Sequence, residues 1–214
     1  MEKSWRASAI DERAWIVRLP SHPMQVAFGL KAHSGWAALV AVGHQNEDVV
    51  LTDRRRIDLV DEAWQKQPYH AAEKLTPTAA RDLVARGIDA ARRIAIRQLQ
   101  AAIDRERRHN REPAVCAVLV GNPMPDWSVD QILAVHFRMH KAEGVLFRDV
   151  LLHAAAACEL RTVAVPQTAP GGDRRLLERI AALGKSAGPP WGRDQKDAAL
   201  AALIALNRRI ESTS

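Results

Sequence analysis

Cysteine, tyrosine and phenylalanine are scarce in this chain: two, one and three residues among 214. The two cysteines, Cys116 and Cys158, each sit inside an apolar segment. That excludes a disulfide framework and a cysteine-rich zinc motif, and it fits a reducing compartment, the cytoplasm by default. No apolar run approaches the roughly 20 residues a membrane-crossing helix needs. The N-terminal MEKSWRASAIDERAWIVRLP carries charge throughout and lacks the apolar centre of a signal peptide. A soluble cytoplasmic protein with no membrane partner is therefore expected. Neither GxGxxG nor GxxxxGK[ST] occurs, so the common phosphate-cradling loops are missing too. There is no internal repeat and no low-complexity tract.

The remaining composition is that of a globular protein, 47% hydrophobic and 26% charged. The length suits one domain, with residues 1–23 as an extension ending in the prolyl boundary PSHP and 24–214 as a single folded unit. A net charge of +6 admits a polyanionic partner such as nucleic acid. The 31 basic residues are spread along the chain among 25 acids, so a merely basic protein is an equal reading. Nothing in the sequence fixes a protein partner or an oligomeric state.

Three strand-length runs open the folded part: MQVAFGL (24–30), WAALVAVG (36–43) and VVLTDRRRIDLV (49–60). Short polar turns join them, which makes an antiparallel meander. The charges of DRRRID place the third run at a sheet edge, where charge discourages pairing with other molecules. Arg54 and Arg56 in that run are also candidates for reading phosphate. The segment DEAWQKQPYHAAEKL reads as irregular, and its Tyr69 and His70 are candidates for stacking on a base. A long helix opens at Thr76 with Pro77 in its first turn and runs to about Arg108. PAVCAVLVG (113–121) reads as a buried parallel strand and RTVAVP (161–166) as another. TAPGGD is a loop, RRLLERIAALG a helix closed by Gly184, and Trp191 after GPP a core plug ahead of the last helix.

Between the two parallel strands, residues 128–157 read as one amphipathic helix with a Ser128–Gln131 capping box. At 100° per residue, His136, His140 and Glu143 fall in the apolar stripe with Ile132, Phe147 and Val150. Spacings of i, i+4 and i+7 would stack two imidazoles and a carboxylate along two turns, within reach of one metal. A buried carboxylate must be paired, protonated or ligating, so a core polar network is the competing reading.

Three patches, in this order, resemble a known family. FGLKAHSGWAALVAVG is similar to the first hairpin of the ribonuclease H-like fold, and of its RuvC-like Holliday-junction resolvases in particular. AEGVLFRDVLLHAAAACELRTVAVPQTA is similar to their central helix and following strand, and RDQKDAALAALIAL to their last helix, which opens with two acids three apart. KAHSGWA, DRRRI and GPPW also resemble a bacterial family with an altered acid set. The resemblance implies an α/β fold: a mixed sheet, with an antiparallel three-strand meander plus parallel strands, and helices on both faces. It further implies a nuclease using Mg²⁺ or Mn²⁺ held by carboxylates. Asp194 and Asp197 match the acids of the last helix. Lys31 stands where the family ends its first strand in an acid. Gly121 and Asn122 stand where another acid belongs, and Asp126 comes a few residues late.

The candidate catalytic set is thus Lys31, His33, His136, His140, Glu143, Asp194 and Asp197, expected to converge on one cleft. Glu143, Asp194 and Asp197 are its candidate metal ligands. Lys31 is also able to replace a metal by giving its own charge to Asp194 or Asp197. Three functions follow: a divergent or inactive nuclease-like protein associated with nucleic acid, an active nuclease with a non-standard ligand set, or a protein acting on a small phosphorylated ligand.

Overall fold

The computed structural model describes residues 22–46, 48–167 and 174–211. Nearly all of the expected N-terminal extension, and the TAPGGD loop, lie outside the described residues. The meander forms as expected: β1 (Met24–His33), β2 (Trp36–Gln45) and β3 (Asp48–Asp58). Its first turn closes through Gly35 at φ 83°, a conformation that favours glycine. Then come α1 (Pro68–Ala72), α2 (Pro77–Arg108), β4 (Arg111–Val120), α3 (Val129–Leu133), α4 (His136–Ala157), β5 (Thr162–Pro166), α5 (Arg174–Ala187) and α6 (Arg193–Glu211). The strands make one sheet in the order β3-β2-β1-β4-β5, with β2 antiparallel to β1 and β3, and β4 parallel to β1 and β5. This is the ribonuclease H-like arrangement.

Alternation along each strand divides the core in two. Phe28, Leu30, Leu39, Cys116 and Val118 pack against α2 and α4, whereas Ala27, Val40, Val115, Ala117 and Leu119 pack against α6. Because both faces are covered, the central strands are almost continuously apolar. Burial in this apolar layer pushes the Cys116 thiol up to about 12, so it is inert packing. Gly29 faces α6, and a Cβ there would overlap the Ala198 carbonyl oxygen. Glycine on the strand and alanines 198, 199, 201, 202 and 205 on the helix let the two backbones approach closely. That approach sets the first turn of α6 beside the end of β1.

Three local readings differ from the structure. Residues 128–157 are two helices: the Ser128–Gln131 capping box forms, but Val135 is extended at φ −140° and ψ 116° and starts α4 afresh. Residues 61–75 are not irregular, since a 3-10 turn at Ala63–Lys66 leads into α1, with Pro68 in its first turn. Gly184 does not end α5. It gives Trp191 room to lie against the helix, the indole donating to the Ile180 carbonyl at 3.2 Å.

Candidate functional site

The candidate residues assemble into two groups on opposite faces of the sheet, not into one cleft. The first lies where β1 meets α6. Lys31 follows Gly29 by two residues and so points to the same face. Its Nζ donates to Asp197 Oδ2 at 2.6 Å and lies 3.0 Å from Asp194 Oδ1. His33 Nε2 lies 3.1 Å from Asp194 Oδ2, and Arg193 Nε 3.7 Å from Asp197 Oδ2. The i, i+3 spacing on α6 does bring both carboxylates to one side. Burial works against the Lys31 ammonium, but its bonds to Asp197 and Asp194 outweigh that and raise its pKa. Burial likewise opposes ionisation of Asp194, yet Lys31 and His33 hold its carboxyl below the ordinary value.

His33 links this ion-pair centre to an aromatic stack. Its ring lies on Trp36 with 4.1 Å between centroids and 7° between planes, and the Arg56 guanidinium sits 4.3 Å from the same indole. Arg56 is exposed and turned back by Asp58 at 3.1 Å. Arg54 is committed elsewhere, donating to the carbonyls of Gly188 (2.9 Å) and Pro190 (2.6 Å) and so fastening the loop before α6. Asp53 and Arg55 face the other way, toward Arg105 of α2. β3 is a sheet edge as expected, but each of its charges from Asp53 to Asp58 has a partner within the chain.

The second group lies on the α2/α4 face. Glu143 is buried, and His70 supplies two of its partners: the backbone N–H donates to Oε1 at 3.1 Å, and ring Nδ1 lies 2.7 Å from Oε2. Gln67 Nε2 adds a third contact at 3.4 Å. The break at Val135 turns the start of α4, so Met139, Ala142 and Glu143 go inward while His136 and His140 come to the surface beside His70. Tyr69 is 7% exposed, its ring packed in the core, and burial raises its pKa. Sequence reasoning pairs His70 with Tyr69 for stacking and gives no link to Glu143. Pro68 is the one available signal that a helix begins there.

The end of β4 carries no carboxylate. Arg148 from α4 lies against Gly121 and donates to the Asn122 carbonyl at 3.3 Å, so a cation occupies this ground too. Asp126 is exposed. Hard divalent ions require several oxygen ligands around a centre free of competing cations. At β1 and α6 the ammonium already takes one oxygen from each carboxylate, so these residues do not fit the Mg²⁺ or Mn²⁺ that the resemblance implies.

The strand order and its connections define a ribonuclease H-like α/β fold, and that assignment rests on the chain's own topology. Among solved structures, RuvC of Thermus thermophilus is 11% identical, with 87% of this chain and 96% of that chain covered at a TM-score of 0.44. T. thermophilus RuvC in complex with Holliday junction substrate is 15% identical, covering 88% and 97% at 0.47. The yeast mitochondrial Holliday junction resolvase Ydc2 is 9% identical, covering 87% and 80% at 0.34. No family model matches the chain, and no curated protein matches it. Among the described residues, no helix is long and apolar enough to cross a membrane.

Proposed function

We propose that this protein is a nuclease-like, nucleic-acid-associated module that binds without cutting, with Lys31 in the place of the catalytic metal. The observation that carries the reading is the position of Lys31 Nζ, 2.6 Å from Asp197 and 3.0 Å from Asp194. One ammonium offsets one of the two negative charges, and His33 and Arg193 border the rest. An internal cation satisfies the acids permanently and offers no Lewis acidity to a scissile phosphate. The absence of an acid at Gly121 and Asn122, with Arg148 against them, supports the same reading. Support for a nucleic-acid partner comes from the +6 charge and from the Arg56–Trp36–His33 stack beside the centre, where an indole and a guanidinium suit bases and phosphates.

Fluorescence anisotropy with labelled single-stranded, duplex and four-way-junction DNA and RNA tests this reading. Binding should be equal in EDTA and in Mn²⁺ within about twofold, and log K should fall linearly with log salt concentration. Arg56→Ala and Trp36→Ala should weaken it. Absence of binding to every probe at low salt removes nucleic acid as the partner. Affinity that requires Mn²⁺ removes Lys31 as the metal's substitute.

A further inference from the structure

We propose that His70, His136 and His140 form a binding site for one zinc-class transition-metal ion, separate from the Lys31 centre and independent of its interpretation. The three side chains come from two elements that the sequence keeps far apart, α1 and the first turns of α4. One nitrogen from each lies within 4.8 Å of the others. His136 Nε2 and His140 Nε2 are 3.1 Å apart, one helical turn separating the residues. Tetrahedral coordination with metal–nitrogen bonds of about 2.0–2.1 Å sets ligand nitrogens about 3.3–3.4 Å apart, so this pair needs little adjustment to share an ion.

The surroundings are those of a coordination site and not of three loose imidazoles. Glu143, buried, takes the Nδ1 side of His70 at 2.7 Å, which leaves Nε2 of that ring as the ligating atom. Glu73 approaches Nδ1 of His136 at 3.9 Å, so that ring too turns its other nitrogen toward the cluster. A carboxylate behind a histidine fixes its tautomer and strengthens it as a ligand. His136 and His140 are exposed, so the fourth position opens to solvent and admits water or an incoming donor atom. Three neutral imidazoles select zinc, cobalt, nickel or copper over Mg²⁺ and Mn²⁺, which favour oxygen. The ion would tie α1 to α4 just beyond the break at Val135.

The test is a Co²⁺ titration of the tag-free, metal-stripped full chain, followed by absorption in the visible and by Zn²⁺ competition. One Co²⁺ per chain should bind with the strong bands of tetrahedral coordination, and one Zn²⁺ should displace it while Mg²⁺ does not. His136→Ala and His140→Ala remove exposed side chains and leave the fold intact, and each should weaken binding by about 100-fold or more. Glu143→Gln should weaken it by about 10- to 100-fold, the usual effect of losing a supporting carboxylate. No saturable uptake by the unaltered chain, or unchanged affinity in the His136→Ala/His140→Ala double variant, overturns the site.

Discussion

Lys31 on β1 and Asp197 on α6, 166 residues apart, are joined by a 2.6 Å hydrogen bond, with Asp194 at 3.0 Å completing the clamp. The clamp closes beside a very close backbone approach, that of Gly29 to Ala198. A strand end and a helix start thus meet where the resemblance implies metal and substrate.

Removing the ammonium should cost stability and create an appetite for metal. Lys31→Met leaves two half-buried carboxylates facing each other, and a loss of about 2 kcal/mol is expected by urea denaturation, in the range of a hydrogen bond to a charged group. Lys31→Asp adds a third carboxylate. Mn²⁺ should raise the melting temperature of Lys31→Asp, since an ion that binds only the native state stabilises it. The same ion should leave the unaltered chain unmoved. Equal shifts in both proteins would show that Lys31 does not block the ion.

The clamp also sets an acid-side pH dependence. Burial alone would lift the Asp194 carboxyl above its ordinary 3.8, but Lys31 and His33 together hold it below that value. A carboxyl that is more acidic in the folded state stabilises it fully above the unfolded value, and that contribution fades as pH falls through the lower folded value. The stability difference between the unaltered chain and Asp194→Asn should therefore shrink as pH falls below about 4. Lys31 works in the opposite sense. Its raised pKa contributes fully below its ordinary 10.5 and is lost as pH climbs through the folded value. A difference that grows as pH falls below about 4 would contradict the assignment.

Gly29→Ala tests whether backbone approach positions the centre. The added methyl meets the Ala198 carbonyl, backbone that has no side-chain freedom to yield. A loss of about 3 kcal/mol is expected, at the upper end for overpacking. Gly144→Ala is the control, because nothing lies within 4 Å of its Cβ position. Equal effects would mean that α6 tolerates displacement.

Much of this was legible in sequence. Strand periodicity gives β1, β2, β4 and β5 within a few residues, and Pro77 with the 84-88-91-95-99 stripe gives α2. The spacing of Asp194 and Asp197 places both acids on one side, and Lys31 is recognisable as an alternative to a metal. The break at Val135 was not legible, because no glycine or proline marks it and the 132-136-140-143-147 stripe runs through it unbroken. That stripe puts His136 and His140 inside, whereas the fresh start of α4 at His136 puts both outside. The partner of Glu143 was hidden for another reason. His70 lies 73 residues away, a tertiary pairing to which no local pattern points.

Glu143 should matter to the fold even without metal. Glu143→Ala removes the acceptor of the His70 backbone N–H and of Gln67, and a loss of about 1–3 kcal/mol is expected for leaving such a donor unpaired. Phe137→Ala, at a side chain 69% exposed in the first turn of α4, should change little. Comparable losses in the two variants would show that the Glu143 network is not what secures α1.

The most direct measurement is a cleavage assay. Labelled single-stranded, duplex and four-way-junction DNA and RNA would be incubated with the protein in Mn²⁺ and separately in EDTA, beside the Asp194→Asn/Asp197→Asn double variant. With Lys31 in the metal's place, every substrate should remain intact in every lane. Product that requires Mn²⁺ and disappears in the double variant would contradict that claim and make the acid pair a working metal site.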